Sequence, residues 1–175
     1  MTNKNIRPIT EFEKSEILRS WKIVDNNLVW ARNGAANVKI EDQVGKSILK
    51  SGHANVFLQI NGKPQGYVLA RIVWFLNTGE YPLLEVDHMD RNPSNNAFNN
   101  LRLASRSQNC SNRGVNHNKN GVKGIWRRYG DTGNWVVQVW VNRKAITKAG
   151  FKTLEEAIAY RQEKIVELHG NFACA

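Results

Sequence analysis

The 175 residues predict an α+β protein: a small N-terminal antiparallel sheet with a helix, a central strand–loop–strand–helix unit, and a C-terminal three-stranded sheet packed on one helix. Three observations carry this expectation. Short strand-like runs between 21 and 68 are separated by tight-turn pairs. Apolar residues then fall at helical spacing from Leu69 to Leu76. After a Gly/Asn-rich break come three more strand-like runs and a helix opened by a capping signal.

Taken in order, residues 1–20 read as a variable arm in which Thr10 and Glu13 have capping-box spacing. WKIV and LVWA flank Asp25-Asn26-Asn27, and VFLQI precedes Asn61-Gly62, a pair suited to a two-residue hairpin turn. Leu69, Ile72, Val73 and Leu76 form an apolar helical stripe, with Gly79 placed to end the helix and Pro82 beyond it. The stretch 84–113 reads as strand (LLEVDHMD), polar loop (RNPSNNAFNN), strand (LRLAS) and a helix from about Ser105. The expected organisation is an arm at 1–20, a domain at 21–113 with its core at 84–113, a linker at 114–120 and a second domain at 121–175. In the last, VKGIWRR, NWVVQVWVN and KAITKAGF supply three strands, with turns at Gly130-Asp131 and Asn142-Arg143. Thr153 and Glu156 then open a helix whose Leu154, Ala157, Ile158, Ile165 and Leu168 form its buried stripe.

A hydrophobic content of 41% excludes a wholly disordered chain. No apolar run reaches the roughly 20 residues of a membrane span, and the polar start lacks a secretory apolar stretch, so no membrane partner and a cytoplasmic location are expected. Two cysteines, Cys110 and Cys174, allow neither a disulfide framework nor a four-cysteine zinc site, so no structural zinc is expected. Cys110 itself is expected as a small packed residue. The net charge is +10, and its distribution is uneven: between Arg91 and Lys152 the only acid is Asp131, against twelve Lys or Arg. Such a block suits a polyanion, since neutralising phosphates releases condensed counterions, though a solubilising surface has the same composition.

The chemistry-bearing string is Asp87-His88-Met89-Asp90-Arg91-Asn92-Pro93-Ser94-Asn95-Asn96, followed by Asn99-Asn100-Leu101-Arg102 and Ser107-Gln108-Asn109. Each residue alone is weak, because Asn/Pro-rich loops often bond only their own backbone. Together they resemble the HNH endonucleases, in particular the phage and intron-encoded homing enzymes with DHxDxNxxNN and then NNLR. The resemblance implies a ββα-metal core at 84–113, with His88, Asn100 and Asn109 at the three motif positions. The third is Asn where many members have His, and an amide oxygen is a suitable hard ligand for Mg²⁺.

Phosphodiester hydrolysis needs a deprotonated water, shielding of the phosphorane charge and help for the leaving oxygen. The resemblance therefore implies His88 as general base, Asp87 and Asn109 as ligands of one divalent metal, Mg²⁺ first and Mn²⁺ as the alternative, and Asn100 as the residue that orients His88 or pins the loop. Asp87 and His88 are consecutive, and neighbours in a regular strand face opposite ways, so irregular backbone is expected at 87–89. Asp90, Asn92, Asn95 and Asn96 are expected to tie the loop together. Arg91, Arg102, Arg106 and Arg113 are candidates to grip flanking phosphates. His53, His117 and His169 lack ligand-like spacing and are expected at the surface.

Residues 120–172 resemble the AP2-type DNA-binding module, which implies a sheet laid in the DNA groove with the helix behind it. Lys123, Arg127, Arg128, Gln138, Arg143 and Lys144 are then the candidate DNA contacts, with Trp126, Trp135 and Trp140 divided between packing and sugar contacts. Val136 and Val139 cannot share a face, which leaves the register open. The functional expectation is a homing-type endonuclease acting on double-stranded DNA, nicking or cutting both strands, in a bacterial host and with a phage gene as one source. A monomer and a dimer are equally compatible. The alternative from another class is a non-catalytic DNA-binding regulator that uses only the C-terminal module. An RNA-binding or structural basic protein is more distant, for want of single-strand recognition signatures.

Overall fold

The computed structural model describes residues 6–34, 37–112, 121–129, 133–142 and 144–172. The chain divides into two compact units, 1–103 and 104–175.

The first unit opens with α1 (Glu11–Ser20), capped as expected: the Glu13 amide donates to the Thr10 hydroxyl and the Glu13 carboxylate receives the Thr10 amide. The helix is no loose arm. Ile17 is fully buried, and Glu13 accepts bonds from the Tyr67 hydroxyl and Arg7 deep against the core. Next, β1 (Trp21–Val24) and β2 (Asn27–Trp30) form an antiparallel hairpin whose turn residues Asp25 and Asn26 have φ of 48° and 61°. Asn and Asp tolerate this left-handed region better than other non-glycine residues.

A three-stranded sheet follows in the order β3 (Lys46–Ile48), β4 (Ala54–Ile60), β5 (Lys63–Val68). Asn61-Gly62 makes the tight β4–β5 turn, both residues at positive φ. The helix α2 (Leu69–Thr78) covers the sheet and ends at Gly79 with φ 76°, as its sequence signal requires. Trp21, Val56, Tyr67, Ile72 and Phe75 are among the core residues sealed between these elements.

Beyond α2 the chain forms a two-stranded ribbon of β6 (Glu85–His88) and β7 (Leu101–Ala104). Buried Arg71 of α2 fastens its approach, donating to the backbone oxygens of Pro82 and Leu84. Without those acceptors a buried guanidinium would be costly, so the bonds fix where β6 begins.

The second unit contains α3 (Arg106–Asn112), β8 (Ile125–Arg127), β9 (Trp135–Val141), β10 (Lys144–Phe151) and α4 (Leu154–His169), the strands lying in the order β10-β9-β8. The expected three strands and helix are all present. Ile125, Val137, Val139, Ala157 and Ile165 form its buried core between sheet and α4. At Gly124 a Cβ would lie 2.4 Å from the Gln138 carbonyl oxygen, and φ is +68°, so only glycine lets β8 approach β9 there.

The division falls inside the stretch 84–113 that the sequence presents as one core, and it groups α3 with the C-terminal residues. The reason is visible in bonds within the second unit: Lys123 donates to the Cys110 carbonyl, and the Asn142 amide donates to the Ser107 hydroxyl. The expected linker 114–120 and the turn at Gly130-Asp131 lie outside the described residues. No described helix is long and apolar enough to cross a membrane.

Candidate active site

The 85–102 ribbon supplies the first unit's site residues. β6 runs without a break through Asp87 and His88, both 5% exposed, and the irregularity begins one residue later. The Arg91 amide donates to the His88 carbonyl across a tight turn, and Arg91 itself takes φ 63°. Of the expected irregularity at 87–89, Asp87 and His88 are strand, the strand ends at His88 and Met89 begins the turn; the two side chains take different partners. Asp87 Oδ2 accepts from Arg102 Nε at 2.8 Å, whereas His88 Nε2 lies 3.2 Å from Asn96 Oδ1.

Asn96 decides the chemistry of the imidazole. Its Nδ2 donates to the carbonyls of Pro93 and Ser94, which fixes the amide so that Oδ1 is the atom turned to His88. An acceptor at Nε2 demands a proton there. In the neutral ring the lone pair then sits on Nδ1, the nitrogen from which a base must act.

Asn100 does not touch His88 through any of its side-chain bonds. Its Oδ1 accepts from the Asp90 amide, and its Nδ2 donates to Asp90 Oδ1 and the Asn95 carbonyl. The Asn100 carbonyl also accepts from the Met89 amide at 2.9 Å, closing the ribbon just past His88. Of its two suggested duties, the geometry matches pinning the loop. Asp90 and Asn92 do the same within the loop, through bonds to the Asn92 and Ser94 amides, and Asn95 donates to Asp90 Oδ2. Hydrogen bonds from the Asn92 amide, Asn95 and Asn100 hold the Asp90 carboxyl below the usual carboxylate range.

Reading the sequence overlooked two neighbours of His88. Asn96 was one of several loop asparagines, and only its position in the folded loop singles it out. His53, expected at the surface, sits half-buried with its ring centroid 5.5 Å from that of His88, edge to face. Burial first, and the neighbouring His88 second, lower its pKa from the ordinary imidazole value. It precedes the motif by 35 positions, so no local spacing signals it.

The phosphate-gripping candidates divide. Arg91 is exposed in the turn beside His88, and Arg106 is exposed at the start of α3 in the second unit. Arg102, by contrast, is paired with Asp87, and its side chain is 17% exposed. Asn109 lies on α3, its amide bonded to the Ser105 carbonyl. Arg113 and Arg143 lie outside the described residues.

In the second unit the register separates the DNA-contact candidates by face. Gln138 bonds Thr147 and receives the Trp140 indole N–H, so Gln138, Trp140 and, across the sheet, Trp126 present one side. Val136 is buried on that same side between its partners Trp126 and Ala149, and Val137 and Val139 face α4. Arg127 lies over the Trp135 ring, and Arg128 over exposed Tyr129. Lys144 pairs with Val141, which puts it in phase with the α4-facing residues, although at the exposed sheet edge. Lys123 is bonded to the Cys110 carbonyl. Cys110 is exposed, not packed, and His169 is buried, not superficial.

A divalent cation is the remaining requirement of the proposed chemistry. Among the described residues no group of three or more His, Cys, Asp or Glu is gathered as a cage. A hard cation at a phosphoryl-transfer site needs no such cage, since it takes one or two carboxylates and completes its shell with water and phosphate oxygens. Asp87 supplies one carboxylate next in sequence to the imidazole, so the donor set fits a cation shared with substrate. Arg102 already neutralises that carboxylate and would share it or yield it.

A family model described as HNH endonuclease matches residues 53–110. An uncharacterized HNH endonuclease of Acanthamoeba polyphaga mimivirus is 32% identical over 124 residues, covering 67% of this chain and 64% of the relative. Protein 3.8 of Escherichia phage T7 is 32% identical over 109 residues, covering 58% of this chain and 84% of the relative. The chain thus spans a little under two thirds of the mimivirus protein's length. No solved structure matches. With residues 53–110 matched by that family model and a phage relative matched over 84% of its length, the chain belongs to the HNH endonuclease family.

Proposed function

We propose that the chain is a metal-dependent endonuclease that hydrolyses phosphodiester bonds in duplex DNA, of the homing type. The observation that carries this reading is the imidazole of His88 fixed at Nε2 by Asn96, itself held by the Pro93 and Ser94 carbonyls. His88 Nδ1 takes the proton of the attacking water, and Asn96 keeps the ring in the tautomer that can do so. Asn100 holds the turn that carries His88, and Arg91 grips a phosphate beside the broken bond. Asp87 is the residue that would hold a divalent cation, Mg²⁺ or Mn²⁺, which would shield phosphorane charge and assist the leaving oxygen; Asn109 is a metal ligand only as the resemblance implies.

The basic C-terminal unit is the AP2-like half that selects the site. Its solvent face of Trp126, Gln138 and Trp140 is the side to meet DNA, and Lys123, Arg127, Arg128, Lys144 and, by its place in the sequence, Arg143 are the further contacts. Arg106 and Arg113 belong to the same basic stretch and contribute phosphate contacts.

The test is cleavage of supercoiled plasmid by the full chain with Mg²⁺, with Mn²⁺ and with chelator, beside His88→Ala. Metal-dependent nicking or linearisation that falls by about 10²–10⁴ in the variant is the expected result. Equal cleavage by both proteins contradicts the general-base assignment. Plasmid binding without cleavage under every metal points instead to a DNA-binding regulator.

A further inference from the structure

The β3–β4 turn, which nothing in the motif foreshadows, reaches the nuclease loop and places a second imidazole against the first. Leu49 donates to the His53 carbonyl and Gly52 to the Leu49 carbonyl, so residues 49–53 form a closed turn. That turn is seated on the loop after His88: a Cβ built on Gly52 would lie 2.7 Å from Pro93 Cγ, and Gly52 has φ +82°. Such an approach is open to glycine alone, because any larger residue would meet both the proline ring and an unfavourable backbone. The neighbouring His53 ring is steered by Ser51, whose Oγ lies 3.1 Å from Nδ1, and it meets the His88 ring at an interplanar angle of 63°.

We propose that His53 is a positioning residue for His88, a support that acts beside Asn96 to hold the imidazole in one rotamer and one tautomer. Asn96 holds the Nε2 end through a hydrogen bond, and the His53 ring lies against the imidazole in an edge-to-face contact. A hydrogen bond at one nitrogen fixes that end of a ring more firmly than it fixes the ring's plane. A flat neighbour in edge contact removes the freedom left to the plane, and small misplacements of a reacting group cost large factors in rate. The pairing also explains why a hairpin remote in sequence is built to rest on the 92–96 loop. The proposal rests on the reading of His88 as general base for its effect on rate, but its structural content stands separately.

The experiment compares the full chain with His53→Ala and His53→Phe, each checked for an unchanged thermal midpoint. On supercoiled plasmid with Mg²⁺, His53→Ala is expected to lose about 10–100-fold in kcat at unchanged KM. His53→Phe, which restores a ring without nitrogens, is expected to recover most of that loss. A wild-type kcat in His53→Ala, a raised KM at wild-type kcat, or a Phe variant no better than Ala overturns the positioning role. In parallel, NMR of the side-chain nitrogens and ring protons of His88, assigned with His88→Ala, reads the same question without activity. The single Nε2–H tautomer expected in the parent gives way in His53→Ala to averaged nitrogen shifts, together with loss of the ring-current displacement. Unchanged tautomer signals overturn the proposal. If the parent protein cleaves nothing, the nuclease reading fails while the NMR result still decides whether His53 positions His88.

Discussion

Around His88 two asparagines that look alike in the sequence have separate work. Asn96 touches the imidazole, and Asn100 touches only the loop and the backbone beside it. They are predicted to fail differently. Asn96→Ala leaves a buried imidazole N–H without its partner, and is expected to lower kcat about 10-fold or more while the stability loss stays near 1–2 kcal/mol. Asn100→Ala removes three side-chain hydrogen bonds at a buried position, and is expected to cost about 2–4 kcal/mol in urea unfolding. A second residue-scale prediction concerns Glu13. The hydrogen bond from Arg7 first, then those from the Thr10 backbone and Tyr67, bring its pKa from 4.5 down to about 2 against the opposing cost of burial. A carboxyl whose folded pKa is depressed contributes stability above its unfolded value and loses it as pH falls through the folded one. Stability owed to Glu13, on the order of 2 kcal/mol after allowance for screening at half-exposed Arg7, is thus expected to drain away between about pH 5 and pH 2. Glu13→Gln should flatten the denaturation midpoint over that window. Of the residues at this site, the motif pointed to His88, Asp87 and Asn100 because they sit together in sequence. It could not point to His53 or single out Asn96, because both meet His88 only after the chain has folded.

Elements were the most legible level, and particular ones show why. Local chemistry sets the Asn61-Gly62 hairpin, the stop of α2 at Gly79 and the capping of α1 and α4, so short-range reading suffices for them. The β6 strand is legible only in part. A site needing Asp87 and His88 on one face suggested that the strand ends or bulges there; it ends at His88, and it sends the carboxylate to Arg102 and the imidazole to Asn96. Likewise α3 reads as the end of the nuclease core, but long-range bonds from Lys123 and Asn142 tie it to the C-terminal sheet. That sheet depends on one close approach. Gly124→Ala puts a methyl group 2.4 Å from the Gln138 carbonyl oxygen on a backbone of positive φ. It is expected to destabilise the second unit by about 2 kcal/mol or more, read as a lowered midpoint in thermal unfolding followed through its tryptophans. A midpoint unchanged from the parent would contradict the described register of β8 on β9.

For the whole molecule, the charge of +10 and the concentration of cations beyond Arg91 were read from sequence alone, and they predict how the protein meets DNA. Affinity for an arbitrary duplex is expected to fall by about 10²-fold or more between 50 and 200 mM salt, in proportion to the phosphates neutralised, as measured by titration of a labelled oligonucleotide. A salt-independent affinity would remove the polyanion reading. Membership of the HNH endonuclease family and the geometry at His88 converge on one claim, that this imidazole is the base which activates water. The most direct measurement is chemical rescue: cleavage of supercoiled plasmid by His88→Ala in Mg²⁺, with and without added imidazole, beside the parent protein. The expected result is a rate lowered by about 10²–10⁴ that free imidazole partly restores, with the rescue growing as the neutral imidazole concentration rises. A His88→Ala protein that cuts at the parental rate, with imidazole adding nothing, would contradict it.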